Sequence, residues 1–214
     1  MAIQALVRHD AELANQVCDS DARIDDLERE INELIIRLLA LRQPMADDLR
    51  VAIAALKISN DLERIGDYAK NVAKRSLALA QAPAMSLTLT ISRMGNLVQS
   101  MIRNILDACV GRDAAGAEEV RLADQEVDQL HTSMFRELLT DMIEDPRKIT
   151  PSTHLLFIAK NIERIGDHAT NIAEQIYFLV MGQDPEEARP KQDWSSDTVV
   201  EPLQSGDSTG KGGD

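Results

Sequence analysis

Between Ala11 and Leu41 the apolar residues Leu13, Val17, Ile24, Leu27, Ile31, Leu34, Ile35 and Leu38 recur at steps of three and four, which predicts one long amphipathic helix. Pro44 interrupts it, because the residue before a proline is pushed out of helical geometry. A second long helix is predicted from about Ala46 to Ala80, closed by Pro83. The same plan follows again: a helix from about Leu87 to Val110, another from about Ala114 to Ile143, a break at Pro146, and a last helix from about Ser152 to Met181 with Pro151 as its first residue. Residues 1–9 read as the last turns of a helix that ends before Asp10, a residue suited to capping the next one. With every periodic stretch assigned to a helix, the predicted fold class is all-α.

The plan repeats because the words repeat. Asp61-Leu62-Glu63-Arg64-Ile65-Gly66-Asp67 returns as Asn161-Ile162-Glu163-Arg164-Ile165-Gly166-Asp167, and Ala69, Asn71 and Ala73 return as Ala169, Asn171 and Ala173, at an offset of 100 residues. Asp10, Ala14, Val17, Asp21 and Asp25 are answered by Asp113, Ala117, Val120, Asp124 and Asp128 at an offset of 103. The chain is thus expected to consist of two similar halves sharing one body. Superposed on the first half, the helix from Leu87 to Val110 would begin before Met1. The first helix of the first half is therefore expected to be truncated, leaving apolar residues of the next two helices less covered.

Composition supports this reading and limits the function classes. Aromatic residues make up 3% of the 214, and Ala, Leu, Ile, Arg, Glu and Asp dominate, which suits helix packing better than strands. A net charge of -13 with no basic cluster excludes nucleic acid on electrostatic grounds and favours cations or basic protein surfaces. Cys18 and Cys109 are not repeat-equivalent and have no metal-ligand spacing, as expected of small packed side chains in a reducing compartment. Without a signal-peptide core or the roughly 20 apolar residues of a spanning helix, a cytoplasmic location is expected. Residues 183–214, rich in Pro, Ser, Gly and acid, are expected to be a disordered acidic tail in which Trp194 is a linker residue.

The candidate chemistry lies in paired carboxylates. Asp21 with Asp25, and Glu63 with Asp67, are four apart and share a helix face. Asp25 and Glu63 each lie 19 residues from Pro44, and Asp128 and Glu163 lie 18 and 17 from Pro146. At about 1.5 Å per residue, the pairs of each half stand at one height on antiparallel helices. Four carboxylates gathered there repel one another unless a cation joins them, and an all-oxygen set suits iron, manganese, magnesium or calcium. Solvated faces with Arg64 and Arg164 as weak partners are the plain alternative; recurrence in both halves favours two metal sites. Glu28 and His131, equivalent at the offset of 103, lie one turn beyond each Asp pair. Gly66 and Gly166 sit mid-helix, where glycine costs about 1 kcal/mol against alanine, so another backbone or a bridged metal cluster is expected to come close to them. Asn71 and Asn171 are placed to hydrogen-bond the carboxylates or to help fix the helices, whereas His168 reads as a helix-surface residue.

The two Glu-Arg-Ile-Gly-Asp words, the Gln43-Pro44-Met45-Ala46-Asp47-Asp48-Leu49-Arg50 segment and the duplicated helical plan closely resemble the PhoU family over roughly residues 1–181. The resemblance implies two tandem three-helix bundles, one repeat over residues 1–82 with its first helix shortened and a second over 83–182. It implies metal clusters held by Asp21, Asp25, Glu63 and Asp67 and by Asp124, Asp128, Glu163 and Asp167. The expected cofactors are metal ions, among iron, zinc, manganese and magnesium. A homodimer is implied, together with a non-enzymatic role coupling the phosphate ABC transporter ATPase subunit to a sensor histidine kinase as a negative regulator of the phosphate-starvation response. On this reading the protein meets the membrane only through its partners. Two other readings compete: a carboxylate-bridged metal enzyme, which would need a second copy of the Asp128-x-x-His131 pattern, and a metal-free helical scaffold whose acidic ledges bind a basic surface.

Overall fold

The computed structural model describes residues 1–80 and 88–185. Pro83, and the expected tail from residue 186 onward, lie outside the described residues. Six helices account for most of the rest: α1 (Ala2–Arg8), α2 (Ala11–Arg42), α3 (Asp47–Leu79), α4 (Thr88–Gly111), α5 (Ala114–Glu144) and α6 (Ile149–Met181), with a single 3-10 turn over Pro146–Lys148. No strand occurs among the described residues. The last helix begins before the position its proline suggests. Pro151 stands third in α6 rather than first, still within the turn whose N–H groups have no intrahelical acceptor, so its missing donor costs nothing there.

The duplication is visible down to single caps. His9 ends α1 in left-handed geometry with φ 52°, and Arg112 after α4 has φ 50°. Asp10 N donates to the Ala5 carbonyl at 2.9 Å, and Asp113 N to the Ala108 carbonyl at 2.9 Å. Asp10 then caps α2 through the Leu13 N–H, and Asp113 caps α5 through the Ala115 N–H. Thus α1 is the structural equivalent of the last turns of α4, with 7 residues against 24.

Helices α3 and α6 form the central pair. Arg50 lies over the Phe178 ring at one end and Arg75 over the Phe157 ring at the other, so the two run antiparallel, with Gly66 and Gly166 near the middle of each helix. On the outside α2 packs on α3, and α5 on α6; α4 covers α5 and α6, while α1 touches α2, α3 and α4. Each half is a three-helix bundle, and the halves share the α3/α6 seam.

Apolar burial is unequal. One continuous core, including Ile91, Met94, Ile105, Met134, Ile158, Ile162, Ile172 and Ile176, fills the second half and the seam. The first half adds a small cluster of Ala5, Ala14, Val17 and Ala73. Because α1 is short, the buried residues of α2 are Ala14, Val17, Asp21 and Ile35 alone, and Leu27, Leu34, Leu38 and Leu41 stay exposed. Ile3 of α1 rests on Gly95 of α4, where an added Cβ would stand 2.7 Å from it. Beside this contact a groove of about 660 Å³ opens among α1, α3, α4 and α6.

Candidate metal centres

In the first half Asp21 and Asp25 project from α2 toward Glu63 and Asp67 of α3. Asp21 is buried and the other three are half-buried. Lys70, one turn beyond Asp67 on α3, donates its ammonium to Asp21 Oδ2 across the helix pair and lies within electrostatic range of Asp25 and Asp67. The other oxygen, Asp21 Oδ1, is buried with no hydrogen-bond partner. Arg64 spans Glu63 at 3.7 Å and Asp67 at 3.6 Å from the solvent side, contacts too long for hydrogen bonds and worth at most about 1 kcal/mol.

Glu63 records the crowding. Burial, then the Asp67 charge, then Asp25 push its carboxyl above the usual range, while Arg64 pulls the other way. A carboxyl with a raised folded-state pKa binds its proton more tightly folded than unfolded, so its contribution favours folding at low pH and is lost as pH rises through that pKa. Glu63→Gln is therefore expected to raise the stability of the metal-free protein at pH 7 by a few tenths of a kcal/mol. The gain should vanish toward pH 4, as urea unfolding at the two pH values would show.

The second set is more deeply placed. Asp124, Asp128 and Glu163 are 1%, 2% and 4% exposed, and Asp167 is half-buried. Lys160 reaches Glu163 Oε1 at 2.9 Å from one turn earlier on α6. Arg121 is also buried and forks onto Glu118 at 2.8 and 3.0 Å.

Both mid-helix glycines face the first aspartate of the neighbouring helix. A Cβ on Gly166 would stand 2.4 Å from Asp124 Oδ1, and one on Gly66 would stand 3.4 Å from Asp21 Oδ1 and 3.0 Å from Ile24 Cδ1. The close approach at these glycines is thus made by side chains rather than by a backbone: the Asp124 carboxylate at Gly166, and Ile24 with Asp21 behind it at Gly66. Their lack of a Cβ lets a ledge residue of α2 or α5 sit against the motif helix.

Oxygen donors, a buried Asp21 oxygen with nothing bonded to it, and a glycine cradle beside it fit a hard cation. Among the described residues no three His, Cys, Asp or Glu side chains already stand at ligand spacing. Lysines hold part of each set, so a cation would be held there only if side chains rotated inward.

Other candidates fall elsewhere. Glu28 accepts a hydrogen bond from Asn32 on its own helix, and His131 is buried within α5. Asn171 does not reach the carboxylates of its own half; its Nδ2 donates to Asp61 Oδ1 of α3 at 3.5 Å. His168 is not a surface residue. Its Nδ1 lies 2.7 Å from the same Asp61 oxygen, and its ring is 5.5 Å from Tyr68, over which Arg164 sits at 5.6 Å. Asp61, itself buried, ties α3 to α6. Sequence reasoning missed this cluster, although the Asp61/Asn161 and Tyr68/His168 exchanges were its signal: the motif differs between copies where α3 meets α6.

Taken together, these features define a duplicated helical-bundle protein with one acidic site between the second and third helices of each half. The sequence profile of the PhoU domain matches residues 1–76 and 91–176. A phosphate-specific transport system accessory protein PhoU homolog from Caulobacter vibrioides is 54% identical over 192 residues, covering 89% of this chain and 84% of its own length. One of the same description from Rhizobium meliloti is 48% identical over 196 residues, covering 91% and 83%. The crystal structure of PhoU from Pseudomonas aeruginosa superposes with a TM-score of 0.83 at 42% identity, covering 85% of this chain and 88% of that one. That of the phosphate transport system regulatory protein PhoU from Streptococcus pneumoniae gives 0.80 at 30% identity, with 87% of each covered. The chain belongs to the PhoU family.

Proposed function

We propose that this protein is a non-enzymatic negative regulator of the phosphate-starvation response and a modulator of high-affinity phosphate transport. It acts as a metal-binding adaptor between the ATPase subunit of the phosphate ABC transporter and a sensor histidine kinase. The observation that carries the reading is the PhoU domain found in both halves, in relatives described as accessory to phosphate-specific transport. Asp21, Asp25, Glu63 and Asp67 would hold one metal site, and Asp124, Asp128, Glu163 and Asp167 the other. A bound metal would supply fixed positive charge that ties α2 to α3 and α5 to α6, keeping the outer faces of the bundles in one arrangement for partners.

No described helix is long and apolar enough to cross a membrane, which agrees with a cytoplasmic protein that meets the membrane through its partners. The acidic balance of the chain, -13, favours basic protein surfaces over nucleic acid. Affinity capture from cells at high phosphate is expected to recover the ATPase subunit and the kinase together. Recovery of neither from crosslinked cells would contradict the adaptor role.

The exposed leucines of α2 support the homodimer. Leu27, Leu34 and Leu41 repeat every seven residues with Leu38 between them, a spacing that suits helix-on-helix packing. Glu30 and Arg37 flank Leu34, so an antiparallel pairing of two copies sets each Glu30 against the other copy's Arg37. Leu34→Glu with Leu41→Glu is expected to convert the dimer to monomer, read as a halved mass by light scattering, with unchanged helicity. A dimer that survives both substitutions would place its interface elsewhere.

A further inference from the structure

The two halves supply one lysine to each carboxylate set, but from positions that the repeat does not conserve. Lys70 stands three residues after Asp67; its equivalent in the second half is Thr170, whose hydroxyl donates to the Asp167 carbonyl of its own helix at 2.7 Å. Lys160 stands three residues before Glu163; its equivalent in the first half is the exposed Asn60. A lysine inherited from one ancestral helix would recur at one position. Supplying it from opposite sides of the motif meets the same charge requirement twice.

That requirement is clearest in the first set. A carboxylate as buried as Asp21, 3% exposed, needs a charged partner. Lys70 provides it from the facing helix, so its ammonium joins α2 to α3 as a metal there would. It leaves Asp21 Oδ1 without a hydrogen-bond partner, and it is not trapped: its side chain is 29% exposed, on a flexible stem able to carry the ammonium into water.

We propose that Lys70 is the resident counter-ion of the first carboxylate set and that it competes with metal for Asp21, swinging out when the set loads. The metal-free protein thereby keeps α2 against α3, and the affinity of the set is held down by the lysine it must displace. This rests on the metal-binding reading above. A plain ion pair would hold the helices together equally well but would have no bearing on metal affinity.

The test uses the full chain, stripped of metal, with the second set disabled by Asp128→Asn and Glu163→Gln. Mn²⁺ is titrated and the free ion followed by paramagnetic resonance, while the melting temperature is measured without metal. Adding Lys70→Met is expected to lower the metal-free melting temperature and to tighten Mn²⁺ binding about tenfold, the size of one charge-assisted hydrogen bond no longer broken. Lys70→Thr, which installs the side chain found at the equivalent helical position, should act in the same direction and serves if the methionine variant does not fold. Lower stability with unchanged or weaker Mn²⁺ binding would overturn the competition. The chain with both sets intact is titrated alongside. Uptake there, but none by the first set with or without Lys70, would refute the inference and leave metal binding at the second set standing. No uptake by any form would refute both.

Discussion

Gly166→Ala is expected to destabilise the protein by about 1–3 kcal/mol, the usual cost of forcing extra volume into a packed site. In an open helix the same change would stabilise by about 1 kcal/mol, because alanine is the better helix former. The sign reverses here because the new methyl would lie 2.4 Å from Asp124 Oδ1. Asp124 is 1% exposed, so its carboxylate has no route to water and must turn within the packed α5/α6 interface. At Gly66 the tightest contact is 3.0 Å to Ile24 Cδ1, the far end of a flexible, half-buried side chain. There the clash and the propensity gain should nearly cancel, leaving Gly66→Ala within about 1 kcal/mol of the parent. Urea unfolding of both variants checks the contrast. Equal effects, or a stabilised Gly166→Ala, would mean that Asp124 is not held against the glycine. Displacement of Asp124 should also lower metal content at the second set.

Changing Glu163 and Asp167 together to Ala is expected to lower total metal content by about half. Each set draws its carboxylates from its own helix pair, α2 with α3 or α5 with α6, and no residue belongs to both, so the losses should be independent. Glu163 is buried and Asp167 half-buried, and removing both takes away the whole α6 side of the second set. Glu63 with Asp67 changed to Ala should remove the other half. Elemental analysis of the purified variants measures both; unchanged content in either would contradict the assignment of ligands in that half.

The helices and their repeat were legible in the sequence because they rest on local signals: three- and four-residue apolar spacing, capping aspartates, and prolines at the turns. Near-equal spacing from Pro44 and from Pro146 likewise predicted carboxylate pairs at one height on neighbouring helices. What the sequence left hidden depends on how α3 meets α6. Asp61, His168 and Asn171 come together because the two motif helices cross antiparallel at the middle of the molecule, a relation between halves that periodicity within one helix does not encode. The glycines were recognisable as close-approach positions, but the approaching groups, side chains of the next helix, were not. Lys70 and Lys160 carry no such signal, because the repeat places Thr170 and Asn60 at the equivalent positions.

The most direct test of the regulatory role is a phosphate-starvation reporter in cells that lack their own copy of this protein. The chain should restore repression at high phosphate, whereas the form with Glu63, Asp67, Glu163 and Asp167 changed to Ala should fail at equal soluble abundance. A folded, soluble chain that leaves the reporter fully induced at high phosphate would contradict the account.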